Sequence, residues 1–425
     1  MRREMARTAR MSASAGLALS LLTACWGGGS GEDGGDEQGG TPSGASSSAA
    51  PADKAYDPPL KFEKSAEATF VGGVSEGRSS VRLDGTTAYA GSHDELRAVS
   101  VLDGETRWTL KPQGRPSEDT DSGTDHVFRP AFGQIDGQRA VLAAFAVTVP
   151  GSGTTPDRPR VELTAAAVDS GKRLWSVTVD RPEGQEEGVP YLVGIDGTSA
   201  ALRFGDDTDA VSLGFDLGTR KVTWTAKGFA ADFVDGGVAV GRGDRSVYGL
   251  SLRDGKKAWT YMDRLNEATL TPVGGGLFTA VVRAPYEDES RIAALLASST
   301  GKPLPALGAR TLGDPTDLSC SYDERITVVC TVTKDFDQRL IAIDTKTRKV
   351  LWTISGDDKT RLMPDVSAVW HGAVYGSTEN GPVVLDARTG EDKPTTPGLT
   401  PFAVNGYAGL DTNSQGEIQA HRAVG

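Results

Sequence analysis

From about residue 80 onward, short runs of alternating apolar and polar positions recur along the chain, separated by polar and glycine-rich turns. Alternation with a period of two is the pattern of a half-buried β-strand. One unit reads "TAYAGSHDELRAVSVLDGETRWTL" (residues 87–110). Others are "VAVGRGDRSVYGLSLRDGKKAWTYM" (238–262) and "ITVVCTVTKDFDQRLIAIDTKTRKVLWTIS" (326–355). Each holds a β-run, a polar turn, a second run ending in Asp, a tight turn, and a strand around Trp. Looser copies are "VELTAAAVDSGKRLWSVTV", "DAVSLGFDLGTRKVTWTA", "RIAALLASSTGKPLPAL" and "AVYGSTENGPVVLDARTGEDKPT".

Trp108, Trp175, Trp224, Trp259 and Trp352 mark the units. Two units fit between Trp259 and Trp352, because the fifth copy has Pro303-Leu304 where Trp belongs. The mean spacing is then about 40–50 residues, the length of a four-stranded propeller blade. Each residue type has a structural task. Asp103 and Asp344 accept turn N–H bonds, Gly104 supplies a positive φ, and Trp covers the blade-to-blade packing. The units resemble the pyrroloquinoline-quinone-type (PQQ-like) propeller repeat. The resemblance rests on Gly91, Leu96, Ala98, Asp103, Gly104 and Trp108 in the first unit and on Leu340, Ala342, Asp344 and Trp352 in the sixth. It covers roughly residues 60–425 and implies an all-β propeller. Seven Trp-type units are present, and residues 401–424 read as further strands lacking a last one. The segment "PPLKFEKSAEATFV" (58–71) is the candidate for that strand. The expectation is eight four-stranded blades, the last closed by the N-terminal strand, with seven blades as the alternative.

The N-terminus follows a different pattern. Residues 1–10 are basic, and "MSASAGLALSLLT" (11–23) is apolar or small. That stretch is too short to span a bilayer, which needs about 20 apolar residues, but it has the form of a secretory signal. It ends in Leu22-Thr23-Ala24-Cys25. This is similar to the lipobox of bacterial lipoproteins. The resemblance implies removal of residues 1–24, lipidation of Cys25 (palmitate among the acyl chains), and a membrane-anchored, extracytoplasmic location. Arg2-Arg3 leaves twin-arginine and general secretory export both open. Residues 25–57 are rich in Gly, Ser, Pro and acid, a composition that buries too little apolar surface to fold. They read as a tether, with 58–425 as the propeller.

Composition sharpens this picture in two ways. The 53 glycines and 7% aromatics among 425 residues suit many short strands joined by tight turns. The net charge is −12. Residues 1–24 hold four arginines and one glutamate, so the remainder has 41 basic and 56 acidic residues and a charge of −15. Phosphate-backbone binding needs a basic face, so nucleic acid is excluded as a partner.

Candidate chemistry is sparse. Cys320 and Cys330 flank a turn at Asp323-Glu324-Arg325, and export favours oxidation, so a disulfide is expected. None of the four histidines sits in a metal-binding pair, and no metal or cofactor is expected. Residues 73–77 match G-x-S-x-G without the helix that a nucleophile elbow requires. The acidic stretch 117–125 lacks the glutamate of a calcium loop, since Pro130 stands at the twelfth position. No catalytic constellation is recognisable. The reading is a monomeric, non-enzymatic binding or scaffolding module for a protein, peptide or cell-envelope polymer. The alternatives are a PQQ-dependent dehydrogenase and a polymer-degrading propeller enzyme. Against the first of these, the chain lacks the adjacent cysteines that the quinoprotein enzymes carry.

Overall fold

The computed structural model describes residues 54–63, 69–72, 81–117, 129–186, 189–206, 209–283, 291–305, 317–334, 337–358 and 360–425. The lipobox, Cys25, Trp26, most of the tether, the 73–77 motif and the acidic stretch beyond Ser117 lie outside these residues. The named elements within them are all strands, arranged in eight antiparallel sheets.

Strand β1 (Thr69–Gly72) comes first in sequence and belongs to the last blade. Blade 1 is β2 (Val81–Asp84), β3 (Thr87–Gly91), β4 (Leu96–Ser100) and β5 (Thr106–Leu110). In blade 2, β6 (Arg115–Pro116) and β7 (Ala131–Ile135) share one edge of the long β8 (Gln138–Val149), followed by β9 (Arg158–Ala167) and β10 (Arg173–Asp180). Blade 3 is β11 (Tyr191–Asp196), β12 (Ser199–Phe204), β13 (Val211–Asp216) and β14 (Lys221–Lys227). Blade 4 is β15 (Ala230–Asp235), β16 (Val238–Gly243), β17 (Ser246–Ser251) and β18 (Lys257–Met262). Blade 5 has β19 (Glu267–Gly274), β20 (Leu277–Arg283) and β21 (Arg291–Ala297). Blade 6 is β22 (Asp317–Tyr322), β23 (Thr327–Lys334), β24 (Asp337–Asp344) and β25 (Val350–Ser355). Blade 7 has β26 (Asp365–Trp370), β27 (Ala373–Thr378) and β28 (Gly381–Asp386). Blade 8 is β29 (Ala403–Val404), β30 (Ala408–Thr412) and β31 (Ile418–Arg422), with β1 as its fourth strand.

The first strands of blades 2 to 8 lie against one another in succession. The first strand of a blade is therefore innermost and the fourth outermost, the radial order of a propeller. Blades 5 and 7 reduce the fourth strand to a single bridge, Leu296 to Pro303 and Leu385 to Asp392. Proline explains this: Pro303 and Pro305 in one case, Pro394 and Pro397 in the other, have no N–H to extend a ladder.

The core sits between blades rather than inside them. Eight apolar clusters fill the eight seams. Leu163 and Phe215 meet between blades 2 and 3, and Val81 and Ala88 meet Leu410 and Ile418 between blades 1 and 8. A fully buried side chain of Leu or Phe size contributes about 1.5–3 kcal/mol. The last seam closes the ring. There β1 pairs with β31, Thr69 opposite Ala420 and Phe70 opposite Gln419.

Upstream of β1, residues 54–63 are held between blades 7 and 8. Tyr56 N donates to Gly406 O, Leu60 N and Lys61 N donate to Gly425 O, and Phe62 bridges Ala423. Phe62 is buried 6.1 Å from the Tyr375 ring. Composition places 54–57 in the tether, yet these residues are fastened to the blades by main-chain bonds and by the side chain of Asp57 described below.

Candidate functional site

The repeat tryptophans occupy the blade seams. The Trp108 indole N–H donates to Val168 O of the next blade at 3.0 Å, and Trp224, Trp259 and Trp352 make the equivalent bonds to Leu252, Ser298 and Ala387. Each of these rings lies on a glycine of the following blade: Gly171, Gly255, Gly301 and Gly390. Trp175 differs. Its partner blade carries Arg220 at the glycine position, the guanidinium sits 5.6 Å from the ring centre, and the buried indole N–H has no hydrogen-bond partner. Beside it, a groove of about 410 Å³ opens between β10 and β14, walled by Val177, Val179, Leu213 and Val222. Asp103 accepts from Glu105 N at 2.9 Å, a bond that holds its carboxyl below the usual range. Asp344 does the same with Thr347 N and Lys346 N. Gly104 has φ +80°. Cys320 and Cys330 stand opposite each other on β22 and β23 and are joined by a disulfide.

The turns joining first and second strands gather on one face and interlock. Asp84 of blade 1 accepts from Arg139 of blade 2 at 2.5 Å. Asp196 of blade 3 accepts from Gly237 N of blade 4, and Asp235 of blade 4 from the Ser298 hydroxyl of blade 5. His371 N of blade 7 donates to Asp323 O of blade 6. Asn405 of blade 8 donates to Gly85 O of blade 1, which ties the turn of the last blade to that of the first.

The N-terminal segment enters on this face. The Asp57 carboxylate is 2.6 Å from His371 Nδ1 and also binds the Arg325 guanidinium. Burial alone would raise the Asp57 carboxyl, but His371 and Arg325 outweigh it and hold it below the usual range. The His371 ring stacks on Trp370 at 3.7 Å, and the Trp370 indole donates to Glu324 at 3.2 Å.

Two exposed arginines stand on or near innermost strands of blades 1 and 2. Arg82 lies on β2, an innermost strand, and Arg129 lies two residues before β7, the innermost strand of the adjacent blade. Both side chains reach solvent. Burial among the surrounding protein nevertheless pushes the Arg82 guanidinium down to about 10, the Arg129 charge pushes it the same way, and Glu324 partly offsets them. Burial lowers Arg129 as well. Nothing in the repeat pattern marks these two arginines, and sequence reasoning passed over them. No group of three or more His, Cys, Asp or Glu converges as metal ligands among the described residues.

A PQQ-repeat family described as outer membrane protein assembly factor BamB matches residues 159–302, which run from β9 to the turn after β21. The fold is a PQQ-like β-propeller. The crystal structure of BamB from Moraxella catarrhalis is 14% identical, covers 83% of this chain and 97% of that chain, and superposes with a TM-score of 0.43. No curated protein matches the chain. In the PQQ-like propeller described here, four of the repeat tryptophans and the glycines under them pack between neighbouring blades, and Asp103 and Asp344 hold their own turns.

Proposed function

We propose that this protein is a lipid-anchored, extracytoplasmic docking module. Residues 1–24 direct export and are removed, Cys25 carries the acyl chains, and the segment from Trp26 to the first fastened residues is a flexible tether. The PQQ-like propeller then binds a protein, a peptide or a cell-envelope polymer without chemical turnover. The observation that carries this reading is the fastening of Tyr56 and Asp57 to the turn face. The chain enters the propeller at one defined place, directly after a Gly/Ser/acid segment that begins at a lipobox-like cysteine. About 28 residues of such composition would have a reach of roughly 30 Å on average. The match to a family described as an assembly factor is in keeping with a scaffolding role, as an analogy of fold.

The test is chemical crosslinking of the full-length protein in its native membrane, followed by mass spectrometry. Repeated capture of one protein or envelope polymer through lysines of the propeller supports docking. Steady oxidation of an alcohol or sugar after addition of PQQ and calcium, or cleavage of an envelope polymer, would replace this reading by an enzymatic one.

A further inference from the structure

The outer rim of the seam between blades 2 and 3 departs from the other tryptophan seams in two linked ways. In four seams the repeat tryptophan lies on a glycine of the following blade and donates to the carbonyl three residues before that glycine. At the equivalent place blade 3 has Arg220, three residues after Leu217, at a left-handed φ of +59°. Trp175 is buried in the same cluster as Leu217, yet its indole N–H has no partner. A non-glycine residue at positive φ and a buried unpaired donor both cost free energy. This seam bears both costs, and beside them lies the groove of about 410 Å³.

Val177 and Val179 of β10 wall one side of that groove, and Leu213 and Val222 of blade 3 wall the other. Val222 is exposed although it is apolar. The volume falls within the roughly 300–1,000 Å³ of ligand pockets. β10 is the outermost strand of its sheet and, among the described residues, pairs with β9 alone. Its outer edge therefore offers unpaired N–H and C=O groups. A strand added to that edge would point every second side chain the way Val177 and Val179 point, into the groove. Charge narrows the choice of occupant. Of the charged residues lining the groove, Asp180 is ion-paired with Arg160 and Arg220 with Asp136. Exposed Lys221 makes no hydrogen bond or ion pair among the described residues, so an acidic group on the occupant complements it.

We propose that this groove docks an extended segment of a partner protein. The segment pairs with the free edge of β10, seats alternate branched apolar side chains between Val179 and Val222, and sets an acidic residue against Lys221. Arg220 holds the groove open by keeping the Trp175 ring from seating on the blade 3 turn. The inference rests on the docking reading for the class of partner and is independent of the lipid anchor. Failure of the docking reading appears in the membrane crosslinking, whereas failure of this one appears with the purified protein.

The test is selection from a random-peptide phage library on the purified full-length protein, followed by fluorescence titration of the enriched peptides. The expected family has apolar residues at alternate positions and an acidic residue at one end. R220G lets Trp175 seat and reach Leu217 O, so the peptides bind it at least tenfold more weakly while its thermal midpoint rises. V222D places a charge on the exposed groove wall and weakens binding at least tenfold at an unchanged midpoint, which keeps folding apart from docking. V149D, at an exposed valine ending β8, leaves binding unchanged. No enriched family, a family with basic residues in place of the acid, or peptides that bind R220G and V222D as tightly as wild type overturns the proposal.

Discussion

A Cβ built on Gly171 would fall 2.5 Å from the Trp108 ring, at a backbone φ of +65°. Both facts forbid a side chain, and they separate cleanly by experiment. Gly137 has a similar φ of +77° but open space around it. The Gly137→Ala variant should lose only the left-handed backbone cost of about 1–2 kcal/mol. Gly171→Ala adds the overpacking of about 1–3 kcal/mol against the indole. Urea unfolding of the two variants measures the difference, and equal losses would mean that the ring does not set the blade spacing. The same position explains two irregularities of the repeat. Arg348 stands there in blade 6, whose preceding blade has Leu304 in place of Trp. Arg220 stands there in blade 3, where Trp175 loses its hydrogen bond and the groove beside it opens. The Trp and Gly positions were legible because turn geometry and indole size leave few alternatives. Arg82 and Arg129 were not, because the alternation of a strand does not say which exposed residue borders a channel.

Among the elements, the closing seam depends on a titratable group. His421 on β31 is buried, with Nε2 3.1 Å from Asp411 of β30 and Nδ1 3.1 Å from the Glu63 carbonyl of the N-terminal segment. Both acceptors are satisfied only by the doubly protonated ring. Burial works against the charge, yet the Asp411 bond and charge and the Glu63 carbonyl raise the His421 pKa above its ordinary 6.5. The folded protein therefore holds this proton more tightly than the unfolded chain. The resulting stability is fully present below pH 6.5 and fades as the pH rises through the raised value. Thermal unfolding followed across that range should show wild type losing stability with rising pH, and His421→Gln with a flatter profile. A slope unchanged in the variant would remove His421 from the seam's energetics. The need for a closing strand was readable, since the last repeat lacks its fourth. The fastening of residues 54–63 was not. Most of its bonds are main-chain bonds to Gly406, Arg422 and Gly425, and its charged partners, Arg325 and His371, lie on turns of blades 6 and 7 far away in sequence.

For the molecule as a whole, the repeat count carried the architecture, because eight apolar faces can all be covered only if the ring closes on itself. On the proposed reading, where that ring works is decided by Cys25, a residue outside it. If Cys25 bears two or three acyl chains, each buried CH₂ contributes about 0.8 kcal/mol, enough to hold the protein on a bilayer. Nothing else in the composition offers such a hold. Without residues 1–24 the chain carries −15, which gives it no attraction to anionic lipid. The Cys25→Ala variant should therefore lose lipid-precursor labelling. Any of it that is exported should move almost completely from the membrane to the soluble fraction, not partly. Its thermal midpoint should match that of the anchored protein, because residue 25 precedes every residue seen fastened to the blades. Fractionation and labelling of the two forms side by side decide the matter. Equal labelling, or an exported Cys25→Ala protein that stays with the membrane, would show that the anchor lies elsewhere and that the lipobox resemblance had misled.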